Sequence, residues 1–356
     1  MLRVERTGLQ ATVQDAGRFG FAHLGVGVAG PMDWVGHAQA NIAVGNASSA
    51  PALELTGATF VARCLASCLL CVCGRSAEVD GHRVAPLTPF LLLAGQMLRL
   101  GQEEGAFRSY LAIAGGFSRP ALLGSCSQST TSDLGDHSSN GLVAGTVLDA
   151  VQPSAWSQEL VSDLRTQRRM AVRWSLKPLA GYSGERELKL EVVRNPRPEL
   201  PVRAWGQFLA CQFRVGPQSN RMGYRLEGQS VDAPVVERAS AAVAMGTVQL
   251  PPSGLPVVLM ADRQTVGGYP VLGCLSLVDT AWLGRSHLGS SIEFVQTSMQ
   301  ASQARYLKLL RALHRQRLAL RYTQRQCAGR RVPNEPEQRL MADGVGGRYR
   351  RVGHVE

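Results

Sequence analysis

Between Pro51 and Asp149 no apolar run lasts longer than a short strand before glycine, proline or a polar turn interrupts it. LELTGATFVAR, CLLCVCG, AEVDGHRVAP, TPFLLLAGQMLRLG and RSYLAIAGGF follow one another with periods near two. Such a succession has too little uninterrupted length for a helical bundle and lacks the alternating helices of a parallel α/β fold, so it predicts an antiparallel barrel or sandwich. A second block of the same kind runs from Leu188 to about Phe294, and in the first half only Met32 to Val44 has helical character.

Two β blocks in 356 residues predict two domains, at 1–153 and 188–298. The aperiodic stretch 154–187 is expected to link them, and 299–356 forms a tail. The net charge of +11 belongs largely to that tail, which carries 13 Lys and Arg against 4 Asp and Glu, leaving 25 against 23 in the body. A basic groove across the folded part is therefore not expected, nor is nucleic acid as a partner. Within the tail, Tyr306, Leu309, Leu310, Leu313 and Leu320 recur at helical spacing among arginines, which predicts a basic amphipathic helix over 299–326 and a disordered end. No apolar stretch is long enough to span a bilayer and the start lacks a secretory pattern, so no membrane association and a cytoplasmic location are expected.

Cys64, Cys68, Cys71 and Cys73 crowd into FVARCLASCLLCVCG. Thiolate ligands belong on turns with polar or glycine neighbours, whereas these lie in an apolar run, so buried structural cysteines and no metal are expected. Gly25, Gly27 and Gly30 spell GxGxxG, but Asp15, Gly17, Arg18, Gly20 and His23 occupy the place of the buried strand that a dinucleotide site requires. A loop that holds Asp15, Arg18 and Asp33 against a helix start fits better, with Asp33 at the helix N-terminus. Gly124 to Gly145 is a polar loop rich in Ser and Thr, suited to a lid, a binding loop or disorder.

Two polar motifs carry the candidate chemistry. In LPVVLMADRQTVGGYP, Leu255 to Pro270, an apolar run stops at Asp262, Arg263, Gln264 and Thr265, and Gly267, Gly268, Tyr269 and Pro270 close the turn. In SNRMGYRLEG, Arg221 and Arg225 flank Tyr224, and guanidinium forks suit the grip of a carboxylate or phosphate. The alternative for the first is an Asp-Arg pair and a Gln that satisfy their own loop backbone, and for the second two surface arginines on a strand pair. No phosphate-cradling GxxxxGK[ST], nucleophile elbow or HExxH occurs.

TVQDAGRFGF, Pro31 to Asn46, RSYLAIAGGF, QSNRMGYRLEG and VQLPPSGLPVVLMADRQTVGGYP together resemble the biotin-dependent carboxyltransferase A and B domain family, over roughly Met1 to Thr297. That family includes the C-type component of bacterial ATP-dependent 5-oxoprolinase, allophanate hydrolase subunit 2 and KipA-like proteins. The resemblance implies a mainly β protein of two cyclophilin-like barrel domains that partners a KipI-like B-type component, together with an A-type component. It implies ring opening of 5-oxoproline to glutamate, with ATP held at a shared interface or on a partner. Relatives in urea carboxylase instead move carboxylate from biotin carried on another protein, and KipA-like relatives act as regulatory partners.

Carried onto this sequence, the resemblance points to Asp262, Arg263 and Tyr269 as catalytic and to Arg221, Tyr224, Arg225 and Thr265 as substrate-binding, with their individual roles inferred from chemistry. Arginines would hold a carboxylate, Arg263 or Tyr269 would donate to an amide oxygen, and Asp262 would take a proton or orient its neighbours. Arg221, Arg225, Asp262, Arg263 and Tyr269 are expected to line one cleft completed by the KipI-like partner. The sequence departs from the family at Gly25-Val26-Gly27, at Ser240-Ala241-Ala242, at the loop from Gly124, and at Gly284 to Gly289. All four departures lie in expected loops.

Overall fold

In the computed structural model, residues 1–57, 59–101, 106–131, 141–179, 186–196, 199–232 and 239–327 are described. The middle of the Ser/Thr-rich loop and the end of the basic tail lie outside these residues.

The chain is mainly β. Its first half is two antiparallel sheets packed face to face. One has six strands in the order Val147–Leu148, Leu2–Thr7, Phe60–Cys64, Met97–Leu100, Ala77–Val79 and His82–Val84. The other has five, in the order Gln10–Gln14, Ala52–Thr56, Arg108–Ile113, Cys68–Cys73 and Phe90–Leu92. Leu2, Val4, Phe60 and Leu98 from one sheet meet Val13, Leu53, Leu70, Val72, Leu111 and Ile113 from the other in a dry core.

Because successive strand residues face opposite ways, Leu69, Cys71, Cys73, Tyr110 and Ala112 point to the far side of the five-stranded sheet. There they pack against helix α1 (Trp34–Ala43), helix α2 (Ala155–Thr166) and the last helix. A sheet covered on both faces reads as a continuous apolar run, which is why the cysteine segment has no polar alternation. Cys71 is fully buried. Cys71→Ser is expected to lower stability by about 1–3 kcal/mol in urea denaturation, since a hydroxyl replaces a thiol where no water reaches.

The second half closes as a seven-stranded barrel: Glu187–Arg194, Val271–Leu275, Thr247–Gln249, Val257–Leu259, Gly223–Gly228, Gln212–Val215 and Ser291–Thr297. The last strand runs parallel to the first and closes the ring. Phe208 of helix α3 (Val202–Ala210) lies 4.5 Å from the Phe294 ring and also packs on Phe213, filling the barrel core.

Helix α4 (Leu277–Arg285) is wedged between barrel and sandwich. A Cβ on Gly284 would lie 2.2 Å from the Met32 carbonyl, so the two backbones touch and only glycine fits. Gly284 opens the last of the four stretches that depart from the family pattern. Arg285 follows, with Nε 3.3 Å from Asp33 Oδ2 and its guanidinium stacked 4.3 Å from the Trp282 ring. The expected loop here is therefore the end of a helix and a contact between the halves.

The expected linker also contains more order than its aperiodicity predicts. Ser154 caps α2 by accepting from the Ser157 amide, and Leu160 and Leu164, four residues apart, are buried against the sandwich. The tail helix forms as α5 (Met299–Cys327). It packs on the sandwich side as well as the barrel, with Leu313 and Leu320 buried and Tyr306 5.6 Å from Trp34. Arg305 ties it to the barrel, 2.8 Å from both Asp279 and Glu191. Among the described residues no helix is long and apolar enough to cross a membrane.

Candidate functional site

Asp33 caps α1 as its place in the sequence predicts, with Oδ1 accepting from the Val35 and Gly36 amides. Around that helix start the two halves share a buried polar network. Arg221, at the turn before Gly223–Gly228, is 2% exposed. Its Nε and Nη2 donate to the two oxygens of Asp262, both at 2.9 Å. Its Nη1 donates to Glu54 Oε1 across the interface, and Nη2 also reaches the Gly30 carbonyl at 2.8 Å.

On the sandwich side, the other Glu54 oxygen accepts from the Tyr110 hydroxyl at 2.7 Å and the Met32 amide at 2.8 Å. Arg108, 3.7 Å from Glu54, donates to the Tyr224 hydroxyl and, at 2.7 Å, to the Gly284 carbonyl. Strand alternation explains the membership. Glu54, Arg108 and Tyr110 occupy alternate positions on paired strands, so all three face the barrel side.

Asp262 is further held by Thr130, whose amide and hydroxyl donate to Oδ2 at 2.9 and 2.7 Å. Thr130 reaches it because Asp15 and Arg18 pin the preceding loop. Asp15 accepts from the Ser125 and Ser127 hydroxyls, both at 2.6 Å, and Arg18 donates to the carbonyls of Leu122, Ser125 and Ser127. Burial works to raise the Asp262 carboxyl, but Arg221 and the Thr130 bonds outweigh it and hold the group below the usual carboxylate range. Burial likewise pushes the Tyr110 phenol well up, reinforced by the charges of Glu54 and Asp33. Four accepted bonds saturate Asp262, and its low proton affinity makes it a poor base.

Beside this network a cavity of about 420 Å³ opens at the edge of the barrel, lined in part by Asn220, Met222, Arg225, Gln249, Gln264 and Tyr269. Along Gly223–Gly228, Tyr224 and Leu226 point into the barrel while Arg225 and Glu227 point out. Arg225 makes no ion pair among the described residues. Tyr269 is half exposed.

The expected single cleft thus resolves into two neighbouring places. Arg221, Asp262 and Tyr224 belong to the buried network, and Arg225 and Tyr269 belong to the cavity. Arg263 joins neither: its guanidinium turns back 3.4 Å from the Val243 carbonyl and 3.5 Å from that of Met260, and burial lowers its pKa. Thr265 sits in the same turn, its carbonyl accepting from the Val243 amide at 3.1 Å. Sequence reasoning gave no role to Glu54, Arg108, Tyr110, Thr130 or Gln249. An acid inside the apolar strand ALELT is a visible signal for Glu54, because a lone buried carboxylate demands a cation.

The family model for the carboxyltransferase domain, subdomain A and B, matches residues 24–296. The chain belongs to this family. It is 33% identical over 320 residues to the C component of Escherichia coli 5-oxoprolinase, covering 87% of this chain and 97% of that one. To the C component of Haemophilus influenzae 5-oxoprolinase it is 30% identical over 294 residues, covering 82% and 89%. The structure of the K. lactis urea amidolyase superposes with a TM-score of 0.76 at 23% identity, over 88% of this chain and 20% of that one, a likeness of fold. Both polar motifs of this carboxyltransferase-family chain fall within the matched span, as do the strands that close the barrel, save for Thr297.

Proposed function

We propose that this chain is the C-type component of an ATP-dependent 5-oxoprolinase, which opens 5-oxoproline to glutamate together with a KipI-like B-type partner and an A-type partner. The observation that carries this reading is the cavity, whose lining combines an exposed guanidinium with no ion pair among the described residues with amide and phenol groups. A small lactam carboxylate needs that set: Arg225 for its carboxylate, and Gln264 or Tyr269 directed at the amide oxygen, whose developing charge they stabilise. The buried network below acts by position. Arg221 locks the Asp262 turn to the sandwich and so fixes the cavity wall relative to residues 1–153.

In this reading the halves 1–153 and 188–298 are the two domains, the cavity is completed by the KipI-like partner, and ATP binds at the shared interface or on a partner, since the chain has no phosphate-cradling glycine loop of its own. Retention of both polar motifs supports an enzymatic role over a regulatory one. The isolated chain is expected to show no 5-oxoproline-dependent ATP hydrolysis, and the assembled complex is expected to show it. Turnover by the chain alone overturns the composite site. A complex that consumes ATP only with urea, bicarbonate and a biotin carrier would establish the carboxylase reading instead.

A further inference from the structure

Gln249 ends the short strand Thr247–Gln249 and is 1% exposed, yet it lines the cavity. Its Nε2 has no hydrogen-bond partner among the described residues. A buried amide N–H without an acceptor carries most of its desolvation cost uncompensated, so a donor of this kind on a cavity wall is matched by what enters the cavity. A Cβ on Gly267 would lie 2.6 Å from Gln249 Nε2 and 3.4 Å from Gln264 Nε2, so the two carboxamides converge beside this glycine and a larger residue there would push the Gln249 amide aside.

Resting on the reading of this chain as part of an amide-opening enzyme, we infer that Gln249 is a substrate-binding residue whose Nε2 donates to the carbonyl oxygen of a small lactam, while Arg225 takes the carboxylate of the same molecule. The division follows from desolvation. A neutral carbonyl is brought to a buried neutral donor at small cost, whereas a carboxylate is better met by a charged group still in contact with water. Arg225 is exposed, with no ion pair among the described residues, and Gln249 is buried, so each end of the ligand has a matching environment.

The test measures calorimetric binding to the assembled complex with three probes: 5-oxoproline, 2-pyrrolidinone, which keeps the lactam without the carboxylate, and proline, which keeps the carboxylate without the carbonyl. Gln249→Met is expected to weaken 5-oxoproline and 2-pyrrolidinone alike by about 10- to 100-fold and to leave proline unchanged. Arg225→Met is expected to weaken 5-oxoproline and proline and to spare 2-pyrrolidinone. Gly267→Ala keeps Gln249 but crowds its amide, so it should reproduce the Gln249→Met pattern more weakly, and it decides the matter if Gln249→Met does not fold.

A folded Gln249→Met complex with unchanged affinity for both lactams overturns the assignment. If wild type still hydrolyses ATP with 5-oxoproline in that case, the proposed function stands. A wild-type complex that binds neither lactam also overturns the assignment. Lactam binding that depends on Gln249 in a complex without 5-oxoproline-driven ATP hydrolysis supports it and overturns the proposed function alone.

Discussion

Arg221→Met is expected to destabilise the protein by about 3–5 kcal/mol in urea denaturation at neutral pH, a cost typical of breaking a buried ion network from one side. Methionine fills much of the same volume, so the loss comes from charge. The substitution leaves the carboxylates of Glu54 and Asp262 facing each other across the interface without the guanidinium that bonds both. The cost should also depend on pH. In the wild type the Asp262 carboxyl is depressed below its ordinary value of 3.8, so its contribution to stability is present above that value and is lost as pH falls through the folded pKa. Without Arg221, only the Thr130 bonds oppose burial, which raises the same group, so that it costs stability while ionised and is relieved on protonation. The gap between wild type and variant should therefore narrow from about pH 7 toward about pH 4. A gap under about 1 kcal/mol at neutral pH would show that the network is not structural.

Arg225→Met is expected to do the reverse, cutting kcat/KM for 5-oxoproline in the assembled complex by about 10²-fold while shifting Tm little. Loss of a charge-assisted bond to a carboxylate in a partly dry site is worth about 2–3 kcal/mol, which corresponds to that factor. Stability should hold because the side chain is exposed and makes no ion pair among the described residues, so nothing buried is orphaned. Tyr269→Phe should lower kcat more than it raises KM if the phenol donates to charge that develops in the transition state. Full activity in both variants would remove the cavity from the chemistry.

The contrast between these two arginines, four residues apart in RMGYR, was not legible in the sequence. Both precede or enter the same strand, and guanidinium chemistry suits both a substrate clamp and a structural tie. Tertiary structure separates them, because Arg221 finds Asp262 at 41 residues' distance and Glu54 at 167, while Arg225 alternates to the open face. Thr130 reaches Asp262 across 132 residues, from a loop that composition alone left as lid, binding loop or disorder.

What the sequence determined by itself was local or periodic. Glycine and proline spacing gave short strands, the apolar cysteine run gave a buried strand, Asp33 gave the start of α1, and the Leu313–Leu320 stripe gave the basic helix. Periodicity tells which face of an element is buried, and the motifs tell which residue types lie at its end. Neither states which buried face meets which. The partition of the polar residues into a locked network and an open cavity, the order within the expected linker, and the unmatched amide of Gln249 were decided only by tertiary structure, because long-range packing sets whether a charged or amide group meets a partner, water or empty space.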